Sequence, residues 1–151
     1  KVSRDQLEPI TWRSLQAGMK ITSGEYLSMI EELQRFSRKL ACFRADRRFD
    51  LLLSPTMAIP PTEIGAFTPA EEAPNKVINV VNAFIAFSRT QNITGDPAMS
   101  VPLFWNEQGV PIGIQFAGRS GDEASLLRLA AQLEQEHPWS DKKPPVHGKT
   151  V

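Results

Sequence analysis

Two short runs of β-branched residues on either side of a tight turn constrain this chain more than any other feature. The first run lies in Asn92–Pro102, which reads Asn-Ile-Thr-Gly-Asp-Pro-Ala-Met-Ser-Val-Pro, and the second lies in Gly109–Gln115, which reads Gly-Val-Pro-Ile-Gly-Ile-Gln. Between them, the turn-prone Asn106–Gly109 favours a β-hairpin. Because proline has no amide donor, Pro102 and Pro111 are expected at sheet edges or bulges.

The rest of the chain alternates helical and extended patterns, which indicates an α/β unit. Met57–Asn75 contains four prolines and is predicted to be a loop, and the polar residues from about 139 to 151 are expected to fray. We predict helices at Glu8–Lys20 with an end near Gly18, at Gly24–Arg47 after an N-cap at Ser23, at Lys76–Ser88, and at Glu123–Glu136 after an N-cap at Asp122.

Apolar spacing predicts which face each helix buries. The helix at 76–88 is apolar nearly all round and is therefore expected to be largely buried. Leu126, Leu127, Ala130 and Leu133 are expected to form the inner face of the last helix. In the long helix, one apolar face with a gap at Ser37 is predicted from Tyr26, Leu27, Ile30, Leu33, Phe36, Leu40 and Phe43.

A short apolar strand indicates that this α/β unit is incomplete on its own. Asp50–Ser54 reads Asp-Leu-Leu-Leu-Ser and is stopped by Pro55, which is typical of a strand buried on both faces in a parallel or mixed sheet. Such a strand needs a hydrogen-bonding partner on each side, and the hairpin can supply one at most. The remaining strands are therefore expected to come from outside this chain.

Composition excludes several function classes. The 151 residues include 17 basic and 17 acidic side chains, so no net charge favours a nucleic-acid or membrane-surface partner. Cys42 is the only cysteine, which excludes an internal disulfide and a Cys-rich zinc site. The longest apolar stretch, Val77–Phe87, is interrupted by asparagines and is too short to span a membrane. The polar start Lys1–Asp5 is unlike a secretory signal peptide, so a cytoplasmic protein is expected.

The two hairpin segments resemble the C-terminal motif of the amidase signature family, in which an Asn-x-x-Gly-x-Pro-Ala turn leads to a Gly-x-Pro-x-Gly-x-Gln strand. Leu7–Trp12 is most similar to the bacterial branch that includes aminohexanoate cyclic-dimer hydrolase. Asp96 departs from the pattern, because a small or apolar residue often precedes the proline of this motif. Further segments match the family in the right order: Gly24–Leu27 at the start of a long helix, Phe49–Thr56 at a strand, and Gly121–Ala130, Leu133-Glu134 and Pro138-Trp139 at the terminal helix and its exit.

The resemblance implies a mixed sheet between helices and a cofactor-free enzyme that cuts amides with a Ser–Ser–Lys triad. In that family the serines lie in a Gly-Ser-Ser-Gly-Gly loop, and no such loop occurs in residues 1–151. We therefore interpret the chain as the C-terminal fragment of an amidase for a small amide, with no catalytic residue of its own. Its expected partner is the missing N-terminal part or a second copy of the chain, and no metal or cofactor site is expected.

The resemblance also implies two substrate-binding residues. In fatty acid amide hydrolase, a member of the family, the helix face just before the Asn-x-x-Gly-x-Pro turn lines the acyl-binding channel. Counting back from Asn92 places Ile85 and Arg89 on that face. Ile85 would be an apolar contact, and Arg89 would be a partner for a polar or carboxylate group. A surface arginine is the competing interpretation of Arg89.

Two alternative functions stay open on the sequence alone. One is the amidotransferase branch, which uses the same triad to release ammonia from glutamine, and the other is a non-catalytic module that self-associates through exposed sheet edges. Among lone reactive side chains, Ser54 fits best as a strand-terminating polar residue and Cys42 as a buried small residue. His137 and His147 are interpreted as a helix end and a tail residue, not as a metal pair.

Overall fold

A computed structural model describes residues 2–67 and 74–144 and confirms the α/β class, with helices around a small antiparallel sheet. Residues 68–73 of the predicted loop and 145–151 of the predicted tail lie outside the described residues. After a 3-10 turn at Arg4–Gln6, the elements are α1 (Pro9–Gly18), α2 (Ser23–Arg47), β1 (Leu52–Pro55), α3 (Pro74–Phe84), α4 (Arg89–Thr94), β2 (Ala98–Trp105), β3 (Pro111–Ala117) and α5 (Glu123–Glu136).

The predicted hairpin is confirmed. Strands β2 and β3 pair antiparallel, and their register shifts between Pro102 and Phe104, so Pro102 borders a bulge as its missing amide requires. Pro111 is the first residue of β3. The turn is held by Asn106, whose Oδ1 accepts hydrogen bonds from the amides of Gln108 and Val110 at 3.1 and 2.8 Å.

The strand order β1-β3-β2 corrects one prediction about β1. Strand β1 pairs antiparallel with β3, and β3 is the single partner that the hairpin was expected to supply. Leu53 on this strand is exposed, so the prediction of burial on both faces is wrong for the chain as described. The physical reason is that β1 lies at an edge of the described sheet, where one of its faces has no covering layer.

The long helix α2 begins one residue earlier than the predicted cap implies. Thr22, not Ser23, is the N-cap: its Oγ1 accepts from the amide of Glu25 at 3.3 Å, and its own amide donates to Glu25 Oε2 at 2.8 Å. This is a reciprocal capping box. Hydrogen bonds from the backbone amide and then the hydroxyl of Thr22 lower the pKa of the exposed Glu25.

The least exposed stripe of α2, in which Arg44 is buried and the other members are half-buried, differs from the predicted apolar face. It runs through Ile30, Ser37, Leu40 and Arg44, which follow heptad-like spacing toward the end that packs against α4. Tyr26, at 57% exposed, lies outside it. The predicted face is wrong for this chain because most of its apolar side chains are exposed, namely Tyr26, Leu27, Leu33, Phe36 and Phe43.

Two further helix predictions need correction. The predicted helix Lys76–Ser88 ends at Phe84, and a turn separates it from α4. Of its described side chains, Val77 is buried and the others are half-buried or exposed, so largely complete burial is wrong. In α5, Leu126 is buried but Leu127 is 71% exposed, because consecutive helical residues point about 100° apart.

The core is small and lies where the sheet meets α5. Its buried apolar side chains in the described residues are Val77, Val101, Ala117 and Leu126. Near the start of the predicted tail, the Lys142 ammonium lies 4.5 Å from the ring centroid of Trp105 on β2, which connects these residues to the hairpin. No helix in the described ranges combines the length and apolar character that crossing a membrane requires.

Candidate functional site

Polar side chains line up across one face of the sheet, and we call Ser54, Thr56, Ser100, Gln115 and Gln91 the polar row. Ser54 on β1 and Ser100 on β2 are both register partners of Gln115 on β3, so the three side chains emerge on the same face. Thr56 follows the last residue of β1, and Gln91 reaches the row from α4. The row is thus assembled from three strands and one helix.

Gln115 is the centre of this row. Its Nε2 donates to Ser54 Oγ at 3.2 Å and to Gln91 Oε1 at 3.2 Å. Gln115 is 5% exposed and Gln91 is 8% exposed, so the hydrogen bond between the two side-chain amides is buried. Buried polar groups are stabilising only when they are hydrogen-bonded, so this chain of contacts fixes α4 against the sheet.

At the other end of the row, the Thr56 and Ser100 hydroxyls both lie close to Gly113. Thr56 Oγ1 and Ser100 Oγ are 2.5 Å apart, and the Thr56 amide donates to the Gly113 carbonyl at 3.0 Å. A Cβ atom at residue 113 would lie 2.6 Å from Ser100 Oγ and 2.8 Å from Thr56 Oγ1. The second glycine of the Gly-x-Pro-x-Gly-x-Gln motif is therefore required here for close approach.

A cavity of about 190 Å³ opens beside these hydroxyls. It is lined by the segment Met57–Pro61 together with Ile112 and Gly113 on β3. The amide of Ala58 in that segment donates to the Phe84 carbonyl at 3.4 Å, so the end of α3 lies against the cavity wall. The cavity has a mostly apolar wall with hydroxyls next to it, which suits a small neutral group.

The side chains of the polar row can hold neighbouring groups in position by hydrogen bonds, and this is the chemical role that their contacts support. Ser54 Oγ accepts a bond from an amide, and the Thr56 and Ser100 hydroxyls bond to each other. A nucleophilic hydroxyl needs a general base within hydrogen-bond reach, and an amide cannot act as one. Ser54 is thus held as a structural hydroxyl, which agrees with its interpretation as a strand-end polar residue.

The structure places both predicted substrate-binding residues around the turn between α3 and α4. Ile85 is half-buried and follows Phe84, the residue that contacts the cavity segment. Arg89 is exposed, and its Nη2 donates to Asn82 Oδ1 at 2.6 Å. The Arg89 amide bonds to the Ile85 carbonyl at 3.2 Å, so the two residues keep one helical turn of separation across the helix break.

Other single-residue predictions have mixed outcomes. Cys42 is exposed, so its predicted burial is wrong; it lies on α2 away from the stripe that packs against α4. Asp122 is the N-cap of α5 as predicted, although its Oδ1 accepts from the Ser125 hydroxyl at 2.8 Å and not from a backbone amide. His137 ends α5, in agreement with its interpretation as a helix end.

A buried ion pair was missed by the sequence reasoning. Arg44 Nη1 donates to Asp96 Oδ2 at 2.9 Å and to the Gly118 carbonyl at 2.8 Å. This pair gives the carboxylate of Asp96 a charged partner inside the fold. The sequence did contain a signal for a buried Arg44. Arg44 lies on the same heptad-like stripe as Ser37, and at both positions a polar residue interrupts the apolar pattern of α2.

Comparison with known proteins gives one family. The family described as Amidase matches residues 1–127 of the chain. AmiC of Mycobacterium leprae (strain TN), which is named for an amidase activity, is 40% identical over 111 residues, covering 74% of this chain and 23% of AmiC. The 6-aminohexanoate-cyclic-dimer hydrolase of Pseudomonas sp. (strain NK87) is 29% identical over 148 residues, covering 95% of this chain and 30% of that enzyme.

A solved structure agrees with these matches. The chain superposes on 6-aminohexanoate cyclic dimer hydrolase, solved with its substrate, with a TM-score of 0.85 and 28% identity over 95% of this chain and 31% of the other. The fold seen here is therefore a part of a larger known architecture. The chain spans less than a third of the length of each of these relatives.

Proposed function

The chain belongs to the amidase family, and on that premise we propose that it is the C-terminal part of an enzyme that hydrolyses the carbon–nitrogen bond of a small amide. The match of residues 1–127 to the family carries this proposal. The substrate named for the structurally similar hydrolase, a cyclic dimer of an amino acid, is of the same chemical class. The exposed thiol of Cys42 is compatible with a reducing, cytoplasmic location.

In this proposal the chain supplies scaffold and one wall of the acyl-binding pocket. The polar row orients groups by hydrogen bonds, and the turn with Ile85 adjoins the segment that lines the 190 Å³ cavity. The nucleophile, its base and the oxyanion donors would come from the preceding part of the parent enzyme, because a Gly-Ser-Ser-Gly-Gly loop is absent from residues 1–151.

The first prediction concerns reactivity. The 151-residue chain alone is expected neither to hydrolyse amides nor to react with a serine-directed fluorophosphonate, because Ser54, Thr56 and Ser100 have no base as a partner within residues 2–67 and 74–144. Intact-mass spectrometry after labelling is the measurement, with the full-length parent polypeptide as the positive control. Stoichiometric labelling of a serine in the folded chain, absent after heat denaturation, would contradict the proposal.

The second prediction concerns substrate choice in the parent enzyme. If Ile85 and Arg89 face the acyl channel, Ile85→Ala should weaken transition-state binding of long apolar substrates by about 1–3 kcal/mol. Arg89→Ala should selectively impair substrates with an acidic group, since a charge-assisted hydrogen bond contributes about 1.5–3 kcal/mol. The measurement is kcat/KM for two acyl lengths and for one acidic substrate, with the Tm of each variant.

The competing interpretation predicts a different result for the same variants. A core role for Ile85 would give uniform loss across substrates and a stability loss of about 2–5 kcal/mol. A surface role for Arg89 would give almost no change. Asn82→Ala is the matched control, because it removes the present partner of Arg89 and leaves its charge in place.

The third prediction concerns association. The apolar side chains exposed on α2 form a surface of the kind that soluble monomers rarely leave uncovered. We propose that the rest of the parent enzyme covers it, so the isolated chain is expected to form dimers or larger species, or to bind a hydrophobic dye. Phe36→Glu should shift the population toward monomer, whereas Gln34→Glu, which adds the same charge at another exposed position of α2, should not.

Analytical ultracentrifugation at several concentrations, together with dye fluorescence, gives the measurement. A monodisperse monomer with a cooperative melt and no dye binding would favour the alternative of an autonomous non-catalytic module. Association that Phe36→Glu and Gln34→Glu change equally would place the contact elsewhere than on α2.

A further inference from the structure

A second cavity, of about 420 Å³, lies where the C-terminal end of α2 meets the loop after β3. It shares no lining residue with the cavity beside the polar row. Ala41 and Ala45 form its small apolar part. Its polar wall is unusual in having three arginines against one carboxylate, and consists of Arg44, Arg48, Asp96, Arg119 and Ser120.

In this wall, the guanidinium of Arg44 is hydrogen-bonded through one of its three nitrogens. The residue is 4% exposed, and Nη1 donates to Asp96 and to the Gly118 carbonyl. Nε and Nη2 are buried and have no hydrogen-bond partner among the residues that the structure describes. These two nitrogens share one edge of the guanidinium, and that edge receives a carboxylate or phosphate through two parallel hydrogen bonds.

The charges around the cavity also favour an anion. Asp96 neutralises one arginine, and Arg119 pairs with the exposed Asp50 at 2.9 Å. The side chain of Arg48 makes no hydrogen bond or ion pair with the described part of the chain. Cations in the last turn of α2 complement the helix dipole, but that effect leaves the free edge of Arg44 unsatisfied.

The backbone of Arg48 gives an independent indication. Its φ of 53° and ψ of 36° are left-handed, a conformation that glycine normally supplies at a helix end and that a side chain adopts at a conformational cost. Among the described residues it is the only non-glycine residue with positive φ. Backbone strain of this kind is concentrated at functional sites, and here it holds a guanidinium at the cavity.

We propose that this cavity binds an oxyanion, either a carboxylate or a phosphate group, on the free edge of Arg44 with support from Arg48 and Arg119. Because Nε and Nη2 are buried, the cavity wall opens for the anion to reach them. The anion then completes the hydrogen bonding of a charge that Asp96 satisfies on one side only. The group is recognised by the geometry of the guanidinium fork, so planar or tetrahedral oxyanions bind and chloride does not replace them.

The test is thermal unfolding of the chain in increasing sodium phosphate or sodium acetate, against sodium chloride at the same ionic strength. A saturable rise of Tm is expected with the oxyanions only. Arg48→Gly should weaken the apparent phosphate affinity by about tenfold, the loss expected for one charge-assisted contact, while relieving the left-handed backbone. Arg119→Gln should weaken it in the same direction, and Arg38→Gln, at an exposed position of α2, should leave it unchanged.

A second measurement keeps the proposal testable where a variant does not fold. In the unaltered chain, the Arg44 Nε–H resonance should shift on titration with inorganic phosphate and not with chloride. Equal Tm values in phosphate and chloride, or a response that Arg38→Gln reduces as much as Arg48→Gly does, would overturn the proposal. So would an Arg44 resonance that phosphate leaves in place.

The same titration of the full-length parent polypeptide identifies the source of the oxyanion. If the Tm response to phosphate persists there, the site takes a free anion. If the response disappears and the Arg44 Nε–H resonance already has its bound position, a carboxylate from the preceding part of the parent enzyme occupies the fork. A full-length protein with an unshifted Arg44 resonance and no phosphate response would contradict both sources.

Discussion

Replacing Asp96 with alanine is expected to lower the free energy of unfolding by about 3–5 kcal/mol, the loss typical of a buried ion pair that keeps only one partner. The Arg44 side chain is 5% exposed and that of Asp96 is 13% exposed, so water cannot readily take the place of the carboxylate. Of the acceptors that the structure describes, Arg44 would retain only the Gly118 carbonyl. Urea-induced unfolding followed by circular dichroism gives the measurement.

A matched control is available in the exposed ion pair of the same chain. Asp50→Ala removes the partner of Arg119, whose side chain is 52% exposed, and such pairs contribute about 0–1 kcal/mol. The double variant Arg44→Met with Asp96→Ala should recover part of the loss, because it removes the unpaired charge as well. Equal, small losses for Asp96→Ala and Asp50→Ala would show that the Arg44 pair is effectively hydrated.

Introducing valine at Gly113 is expected to destabilise the sheet by about 3 kcal/mol, the upper end of the usual overpacking range, and alanine by about 1–3 kcal/mol. Even the first added carbon would lie 2.6 Å from Ser100 Oγ and 2.8 Å from Thr56 Oγ1. These hydroxyls are held by each other on the neighbouring strand and loop, so neither can move without losing its partner. Urea unfolding again measures the loss.

Gly24→Ala is the control for this substitution. A Cβ at Gly24 would meet nothing within 4 Å, and the residue lies in the first turn of α2, where alanine is favoured over glycine. It should therefore be neutral or slightly stabilising. Combining Gly113→Ala with Ser100→Ala removes the nearest obstructing atom, so the two losses should be less than additive. Additive losses, or a neutral Gly113→Val, would refute the close-packing role of this glycine.

Local signals predicted the elements of this fold well. Helix ends at Gly18 and His137, the hairpin turn at Asn106–Gly109 and the bulge at Pro102 follow from properties of single residues or short spacings. The shift of the α2 cap from Ser23 to Thr22 was also local, since the Thr22-x-x-Glu25 capping box is visible in the sequence. The helix break after Phe84 could not be predicted from a local signal, because no proline or glycine marks it.

Burial could not be predicted with the same success, since it depends on which surface faces which. The apolar residues of α2 and Leu127 of α5 fit an inward face by spacing, yet many of these side chains are exposed in the described part of the chain. The candidate site was missed for a similar reason. Gln91, Gln115 and Ser54 are ordinary polar residues in the sequence, and only strand register and the position of α4 bring them together.

The central place of β3 in the sheet has a consequence for the order in which the chain folds. Its two pairings close loops of very different length: β2 joins it through a tight turn, whereas the bond from Gln115 to Ser54 connects residues 61 positions apart. Loop-closure entropy increases with the logarithm of length, so the hairpin can form early and β1 is added later. In hydrogen exchange, amides of the hairpin should therefore outlast those of β1, whose edge is the first part of the sheet to open.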